Sequence, residues 1–238
     1  MTRTTMTTMK RVCLFCVLAL VLSGCDGMQL GSMRFPGLGQ TDGNTDGNRG
    51  PQQQQQRQPQ QRQIGYQDFP SGLPADFQAF KTRYQSVGTS PEGAVRMYFD
   101  ALYSYIDPVR KAEGAKMLRY SMHEGKNWER SPFRATFTSR LKDSSYHYIF
   151  RSFAEGAYPE NSYDMDPDDY QLMIVNVRQE TDYVSISIRS NGADSPRLLQ
   201  AQQFEDGLWY LTNNHGTYSD VRKPANQVRT GGHDADLD

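Results

Sequence analysis

The side chains most often used for catalysis or metal binding are scattered along this sequence. The four histidines, His123, His147, His215 and His233, form no i, i+4 pair and none lies beside a cysteine, so the usual zinc-binding spacing is absent from the sequence. His215 follows a predicted strand in Asn-Asn-His-Gly at 213–216, and it is the one candidate general base among them. The sequence has no phosphate-binding glycine loop, dinucleotide-binding pattern or nucleophile elbow. It predicts no metal site and no cofactor.

The most polar loop of the predicted domain covers residues 158–170. Three aspartates at alternate positions from Asp164 resemble the start of an EF-hand calcium loop, but the sixth position is Asp169 and the twelfth is Val175. Calcium loops of that kind need glycine and glutamate there, so a solvated loop is the better interpretation. Tyr163 in this loop is a candidate ligand contact, although tyrosines in such a chain belong by default to the core.

Arg151 is the third candidate contact, and it falls in an aromatic segment, residues 146–153, that we predict to be a strand. An inward-facing guanidinium can hold an anionic group by its two-pronged geometry. It can equally pair with an acidic neighbour such as Glu160, or lie on the solvent face. The alternation of the segment leaves both of its sides mixed, so these alternatives stay open.

The N-terminus contains the strongest motif. Three cationic residues, Arg3, Lys10 and Arg11, precede an apolar run over 12–22, which is typical of a secretory signal and too short to span a bilayer alone. Leu-Ser-Gly-Cys at 22–25 then resembles the lipobox of bacterial lipoproteins. That resemblance implies cleavage before Cys25, a diacylglyceryl group on its sulfur and acylation of the new amine. Two or three acyl chains anchor a protein stably to a membrane surface.

Composition also limits the disulfide content and the net charge of the mature protein. Cys13 and Cys16 lie in the predicted signal, so only the lipidated Cys25 of the three cysteines is expected to remain, and no disulfide is expected. Cleavage removes three positive charges and no negative one from a precursor of net charge −1. A mildly acidic protein has no overall attraction to nucleic acid, so we expect no nucleic-acid partner.

The chain is predicted to have four parts. Residues 1–24 are the signal, and 25–63 form a disordered tether, because a segment rich in Gly, Gln, Asn and Pro buries too little apolar surface to offset its ordering entropy. As a flexible coil this tether would average roughly 35 Å end to end. Residues 64–224 are dense in aromatic and branched side chains and have the length of one domain. Residues 225–238 are a polar, disordered tail.

Helices are predicted first within the domain. Apolar spacing indicates a short amphipathic helix over 74–86. Ser90 followed by Pro91 supplies an N-cap and a first-turn proline for a longer, largely buried helix that ends before Pro108. A further helix is predicted to begin at Pro108 and to run to about residue 122. The spacing over 128–141 fits a helix and a strand equally well.

Strands are predicted afterwards. Besides 146–153, they cover 172–177, the alternating segment around Ile186, and two segments at 198–204 and 208–212. The last two flank Asp206-Gly207, a strong hairpin turn. Helices followed by an antiparallel meander indicate an α+β domain whose sheet is covered by the long helix.

Two resemblances follow from these segments. Residues 90–99 and 206–210 resemble the first helix and the closing hairpin of the NTF2-like (cystatin-like) superfamily, which implies N-terminal helices packed on a curved antiparallel sheet with a cone-shaped pocket. Residues 90–224 resemble an uncharacterised family of bacterial secreted and lipoprotein domains. Its recurring pieces are found here at 150–153, 156–163, 192–197 and 222–224. This second resemblance implies no catalytic residues.

The leading hypothesis is therefore a lipoprotein anchored to the bacterial cell membrane and facing the periplasm or the cell exterior. Its domain would bind or scaffold an unknown envelope protein or small ligand without catalysis. The rival hypothesis is a small NTF2-like pocket enzyme of hydrolase or isomerase type, because such enzymes use dispersed pocket residues that no short motif reveals. The first predicts a cavity filled by phenylalanine and tyrosine side chains, and the second predicts two titratable side chains converging in one deep cavity.

Overall fold

The structure is a computed structural model that describes residues 61–62 and 65–228. Cys25, His233 and nearly all of the predicted tether and tail lie outside the described residues. In the described part, five α-helices precede four long antiparallel strands, which confirms the predicted α+β class. Within those same ranges, no helix has both the length and the apolar character that crossing a bilayer requires.

The longest helix is α2, Pro91–Ile106, and it forms as its sequence predicts. The Ser90 side chain caps it by accepting a hydrogen bond from the Gly93 backbone N–H at 3.0 Å. The helix ends at Asp107, because the residue before Pro108 avoids helical angles. Almost every side chain of α2 is buried, so this helix is the centre of the core.

The other helices surround α2. They are α1 (Phe77–Val87), α3 (Lys111–Ser121), α4 (Ala135–Lys142) and α5 (His147–Arg151). The predicted start of α3 at Pro108 is wrong by three residues, because the Asp107 side chain accepts from the Val109 N–H at 2.8 Å and forms a turn there.

The ambiguous segment over 128–141 is helical. Two 3₁₀ turns lead into α4, in which Phe137 and Leu141 are buried one turn apart while Phe133 is 93% exposed. The helical interpretation therefore applies to the part of this segment that enters the core.

The predicted strand over 146–153 is wrong, because the segment is a 3₁₀ turn followed by α5. The Asp143 side chain caps the turn by accepting from the Ser145 N–H at 2.9 Å. Ile149, Phe150 and Phe153 are buried at helical spacing, which places the apolar side chains on one face. The strand faces inferred for Arg151 and its neighbours therefore do not exist.

The sheet has the order β1-β3-β4-β5-β6, with β2 also paired to β3. Its strands are β1 (Gln61–Arg62), β2 (Gly65–Tyr66), β3 (Met173–Gln179), β4 (Val184–Ile188), β5 (Arg197–Gln203) and β6 (Trp209–Asn213). All pairings are antiparallel. Gly207, with φ of 79°, makes the predicted turn between β5 and β6.

One face of the sheet packs on α2, as the sequence predicts. Ile174, Ile186, Ile188 and Leu199 are fully buried on this face, and α2 contacts β4, β5 and β6. In β4 the valine and isoleucines thus lie on the core face, and the serines between them lie on the other face.

A charged network is buried beside α2. Asp100 is fully buried and accepts from Arg96 Nε at 3.0 Å, from Tyr170 Oη at 2.6 Å and from Arg83 Nη1 at 3.4 Å. Arg96 also donates to the backbone oxygens of Tyr170 (3.0 Å) and Pro70 (3.1 Å). The network fixes the segments before α1 and before β3 onto α2.

Strands β1 and β2 form an N-terminal strap along β3. Gln61 and Arg62, which were assigned to the tether, pair with Arg178 and Val177, and Tyr66 pairs with Met173. The Arg62 guanidinium also forms an ion pair with Glu92 in the first turn of α2. The strap therefore covers the backbone edge that β3 would otherwise expose.

Candidate functional site

One surface depression of the described residues is a groove beside the loop that precedes β3, which we call the Tyr158 groove. Its volume is about 480 Å³, within the range typical of ligand sites. Side chains that line it include Tyr158, Glu160, Arg189, Asn191, Asp194 and Arg222.

The loop over 156–163 holds Tyr158 at the groove wall. Its backbone N–H donates to Asn161 Oδ1 at 2.9 Å, and Asn161 Nδ2 donates to the Gly156 oxygen at 2.8 Å. The Tyr163 N–H then donates to the Tyr158 oxygen at 2.8 Å, which closes the loop. The Tyr158 ring is 43% exposed on this fixed backbone, so its face is available to a ligand.

Tyr163, a predicted ligand contact, is packed beneath the residues that line the groove. It is fully buried, and its hydroxyl donates to the Arg222 backbone oxygen at 2.6 Å. Burial raises the pKa of Tyr163 to about 12. The Tyr163 ring packs on Gly192, where an added Cβ would lie 2.3 Å from the Tyr163 hydroxyl. The glycine is therefore required for the tyrosine to fit.

The groove floor is fixed to the end of α5. The Ser190 and Ser152 hydroxyls, both buried, lie 2.7 Å apart, and Ser152 Oγ donates to the Ile149 oxygen. Ser190 therefore supplies the proton between the two hydroxyls. The Asn191 side chain donates to the Ala154 oxygen at 2.8 Å. These contacts position the neighbouring Arg189 and Asn191 along the groove.

Positive and negative charges are balanced in the Tyr158 groove. Arg189 and Arg222 line it together with Glu160 and Asp194. Arg222 Nη2 donates to the Asn191 backbone oxygen at 3.2 Å, which fixes one guanidinium. A site with this balance does not select for a strongly charged ligand.

Arg151 lies in a different depression. It is exposed and lines a cavity of about 250 Å³ beside the C-terminal end of α2, with Asp107 and Asp164. Glu160, its proposed partner, lines the Tyr158 groove instead. Arg151 is thus separate from Tyr163.

His215 occupies a third position. It begins the 3₁₀ turn His215–Tyr218 after β6, is exposed, and its ring lies 5.0 Å from the Tyr218 ring. It lines an open depression of about 650 Å³ together with Glu124 and Arg134. The three ligand contacts predicted from the sequence therefore do not form one site.

The aspartates of the 158–170 loop make local contacts. Asp168 Oδ1 accepts from the Leu73 N–H at 2.9 Å and from Arg110 at 3.2 Å, and Asp166 accepts from the Asp168 N–H at 2.9 Å. The bonds from the Leu73 N–H, which has the larger effect, and from Arg110 lower the pKa of Asp168. Over residues 61–62 and 65–228, no group of three potential metal ligands occurs.

Sequence reasoning about single residues missed Tyr158, Arg189 and Asn191. The signal that could have found them was the set of recurring segments, because parts of 156–163, 192–197 and 222–224 all reach the Tyr158 groove. Such segments can share a site only once the fold is known.

Residues 72–225 match the family described as Domain of unknown function (DUF6935), and the chain belongs to that family. This supports the expected uncharacterised family. No curated protein and no solved structure matches the chain. The match begins after the N-terminal strap, so β1 and β2 lie outside the family region.

Proposed function

We propose that this protein is a bacterial lipoprotein, anchored to the cell membrane through Cys25 and facing the periplasm or the cell exterior. Its domain binds or scaffolds an envelope component through the Tyr158 groove and does not catalyse a reaction. The observation that carries the proposal is the convergence on one groove of three separate segments, 156–163, 192–197 and 222–224, that the sequence resemblance singled out. The lipobox at 22–25 and the polar segment after it support the anchor and the tether.

The state of the buried serine of the groove, Ser190, favours binding over nucleophilic chemistry at that residue. Ser190 is 3% exposed, its proton is engaged by Ser152, and its oxygen accepts from the Gly192 N–H at 3.3 Å. A nucleophilic serine needs a base within hydrogen-bond reach instead. The exposed groups of the groove are the Tyr158 side chain, the Ser195 hydroxyl and charges of both signs, which suit recognition.

We also propose that the fold is NTF2-like. The antiparallel sheet packed on the buried α2, and the closing β5–β6 hairpin, support this assignment. A crystal structure would test it through the curvature of the sheet around α2, and a flat sheet would contradict it.

Site-specific photocrosslinking tests the groove. The photoreactive residue p-benzoylphenylalanine replaces Tyr158 in the full chain, expressed in its native envelope, and the control replaces Tyr146, which is 36% exposed elsewhere. We expect a discrete crosslinked species from position 158 and none from position 146. Equal labelling from both positions, or none from 158, would contradict the proposed site.

Mass spectrometry of the N-terminal peptide tests the anchor separately. We expect a peptide that begins at Cys25 and carries two or three acyl chains. A chain that still begins at Met1, or an unmodified thiol at Cys25, would overturn the lipoprotein assignment.

A further inference from the structure

The N-terminal strap contributes a second exposed aromatic side chain next to the Tyr158 groove. Tyr66 pairs with Met173, and the Arg189 N–H donates to the Met173 oxygen at 2.9 Å. The adjacent pair Ile174 and Ile188 is fully buried towards α2. Because side chains alternate along strands, Tyr66, Met173 and Arg189 lie on the opposite, outward face.

Tyr66 and Arg189 therefore lie on either side of Met173, on the same face of the sheet. Adjacent strands are roughly 5 Å apart, so the two residues are about 10 Å apart across β3, and one extended ligand can reach both. Tyr66 is 45% exposed and Tyr158 is 43% exposed. The Glu155 carboxylate beside its hydroxyl raises the pKa of Tyr66 to about 12, and Tyr158 and Arg189 are also close enough to influence it. Tyr66 thus extends the groove wall.

The chemistry of this extended site limits its ligand. Its cationic side chains, Arg189 and Arg222, are matched by Glu160 and Asp194, and Glu155 adds a further carboxylate beside Tyr66. This balance disfavours an anionic polymer. The site otherwise offers two exposed tyrosine side chains, while its guanidinium and carboxylate groups present planar hydrogen-bonding groups. A sugar ring offers apolar C–H groups to the tyrosine rings and hydroxyls to the planar polar groups.

We propose that the Tyr158 groove, completed by Tyr66 of the strap, binds a neutral saccharide chain. This inference rests on the proposed binding function and specifies its ligand class. It also assigns a role to β2, which lies outside the region that the DUF6935 family covers. The strap follows the polar N-terminal segment along the sequence.

The test uses the full chain in a zwitterionic detergent without a sugar head group. Probes are the neutral trisaccharides N,N′,N″-triacetylchitotriose and maltotriose, with a sulfated trisaccharide as the anionic comparison, and binding is measured by thermophoresis. We expect a neutral trisaccharide to bind more tightly than the sulfated one, with an affinity unchanged between 50 mM and 500 mM NaCl. Tighter binding of the sulfated probe, or no binding of either neutral probe, would overturn the inference.

Three tyrosine variants test the location. Loss of one aromatic stacking contact, in Tyr66→Ala or Tyr158→Ala, should weaken binding about three- to tenfold. The matched control Tyr146→Ala should bind as the parent does. If Tyr66→Ala retains full affinity while Tyr158→Ala loses it, the role of the strap is wrong.

Failure of this inference and of the proposed function can be told apart. Capture of a protein by the photocrosslinker at position 158, together with no saccharide binding, would overturn the ligand class and leave the groove as a binding site. If the photocrosslinker captures nothing and no saccharide binds, both the ligand class and the groove as a binding site are wrong.

Discussion

Removal of the carboxylate of Asp100 should destabilise the protein more than any surface substitution. Asp100 is fully buried and neutralises Arg96, which is only 4% exposed. In Asp100→Ala, Arg96 would keep its two backbone acceptors but lose its counter-charge. An uncompensated buried charge of this kind costs about 3–5 kcal/mol. That is a large part of the 5–15 kcal/mol by which domains are typically stable.

Urea denaturation of the parent and of the variants measures this cost. With a slope of about 2 kcal/mol per M, the midpoint of Asp100→Ala should fall by about 2 M. The milder Tyr170→Phe removes the hydroxyl that donates to the carboxylate at 2.6 Å and to the Arg96 backbone oxygen at 3.4 Å, and it should cost about 1.5–3 kcal/mol. It keeps the prediction measurable if Asp100→Ala does not fold.

Two controls isolate the buried charge. Lys116→Ala breaks an exposed ion pair on α3 and should cost less than about 1 kcal/mol. The double variant Arg96→Met with Asp100→Leu removes both charges together and should be more stable than Asp100→Ala. The reasoning is refuted if Asp100→Ala costs no more than Lys116→Ala, or if the double variant is the less stable of the two.

Three further predictions concern packing and pH. Gly192→Ala should cost about 1–3 kcal/mol in thermal unfolding, and adding Tyr163→Phe should recover part of it because the clash is with the hydroxyl; additive losses would contradict this. Because its folded-state pKa is lowered, Asp168 should stabilise the fold above about pH 4 and lose this effect as the pH falls further. In Asp168→Asn, stability should therefore fall less steeply with decreasing pH below about pH 4 than in the parent. An unchanged pH dependence of stability would contradict this. Phe137→Ala should cost about 3–5 kcal/mol, whereas Phe133→Ser should stay within about 0.5 kcal/mol, and similar losses would contradict the helical register.

The sequence predicted the elements whose local signals agree with their tertiary environment. The Ser90 cap with Pro91, and Gly207 in the last hairpin, each carry a local stereochemical cause that the fold keeps. The segment over 146–153 lacks such a cause, since dense aromatic side chains satisfy both periodicities. In that segment, the cap from Asp143 and the burial of apolar side chains against α2 favour a helix over a strand.

The candidate site was harder to predict because it is built from distant segments. Tyr66 and Arg189 lie far apart in the chain and are brought together only by the register of β2, β3 and β4, whereas the loop over 156–163 positions Tyr158. Single-residue reasoning selected Arg151 and His215, which the fold places in two other depressions. Strand register depends on the whole sheet, so no local pattern could supply it.

Hydroxyl-radical footprinting of intact envelopes and of the purified chain tests the central claim most directly. The oxidation rates of Tyr158 and Tyr146 are compared, because the two rings are similarly exposed at 43% and 36%. The account predicts that Tyr158 is protected in the envelope while Tyr146 oxidises at the same rate in both samples. Equal rates for Tyr158 in the two samples would contradict an occupied groove.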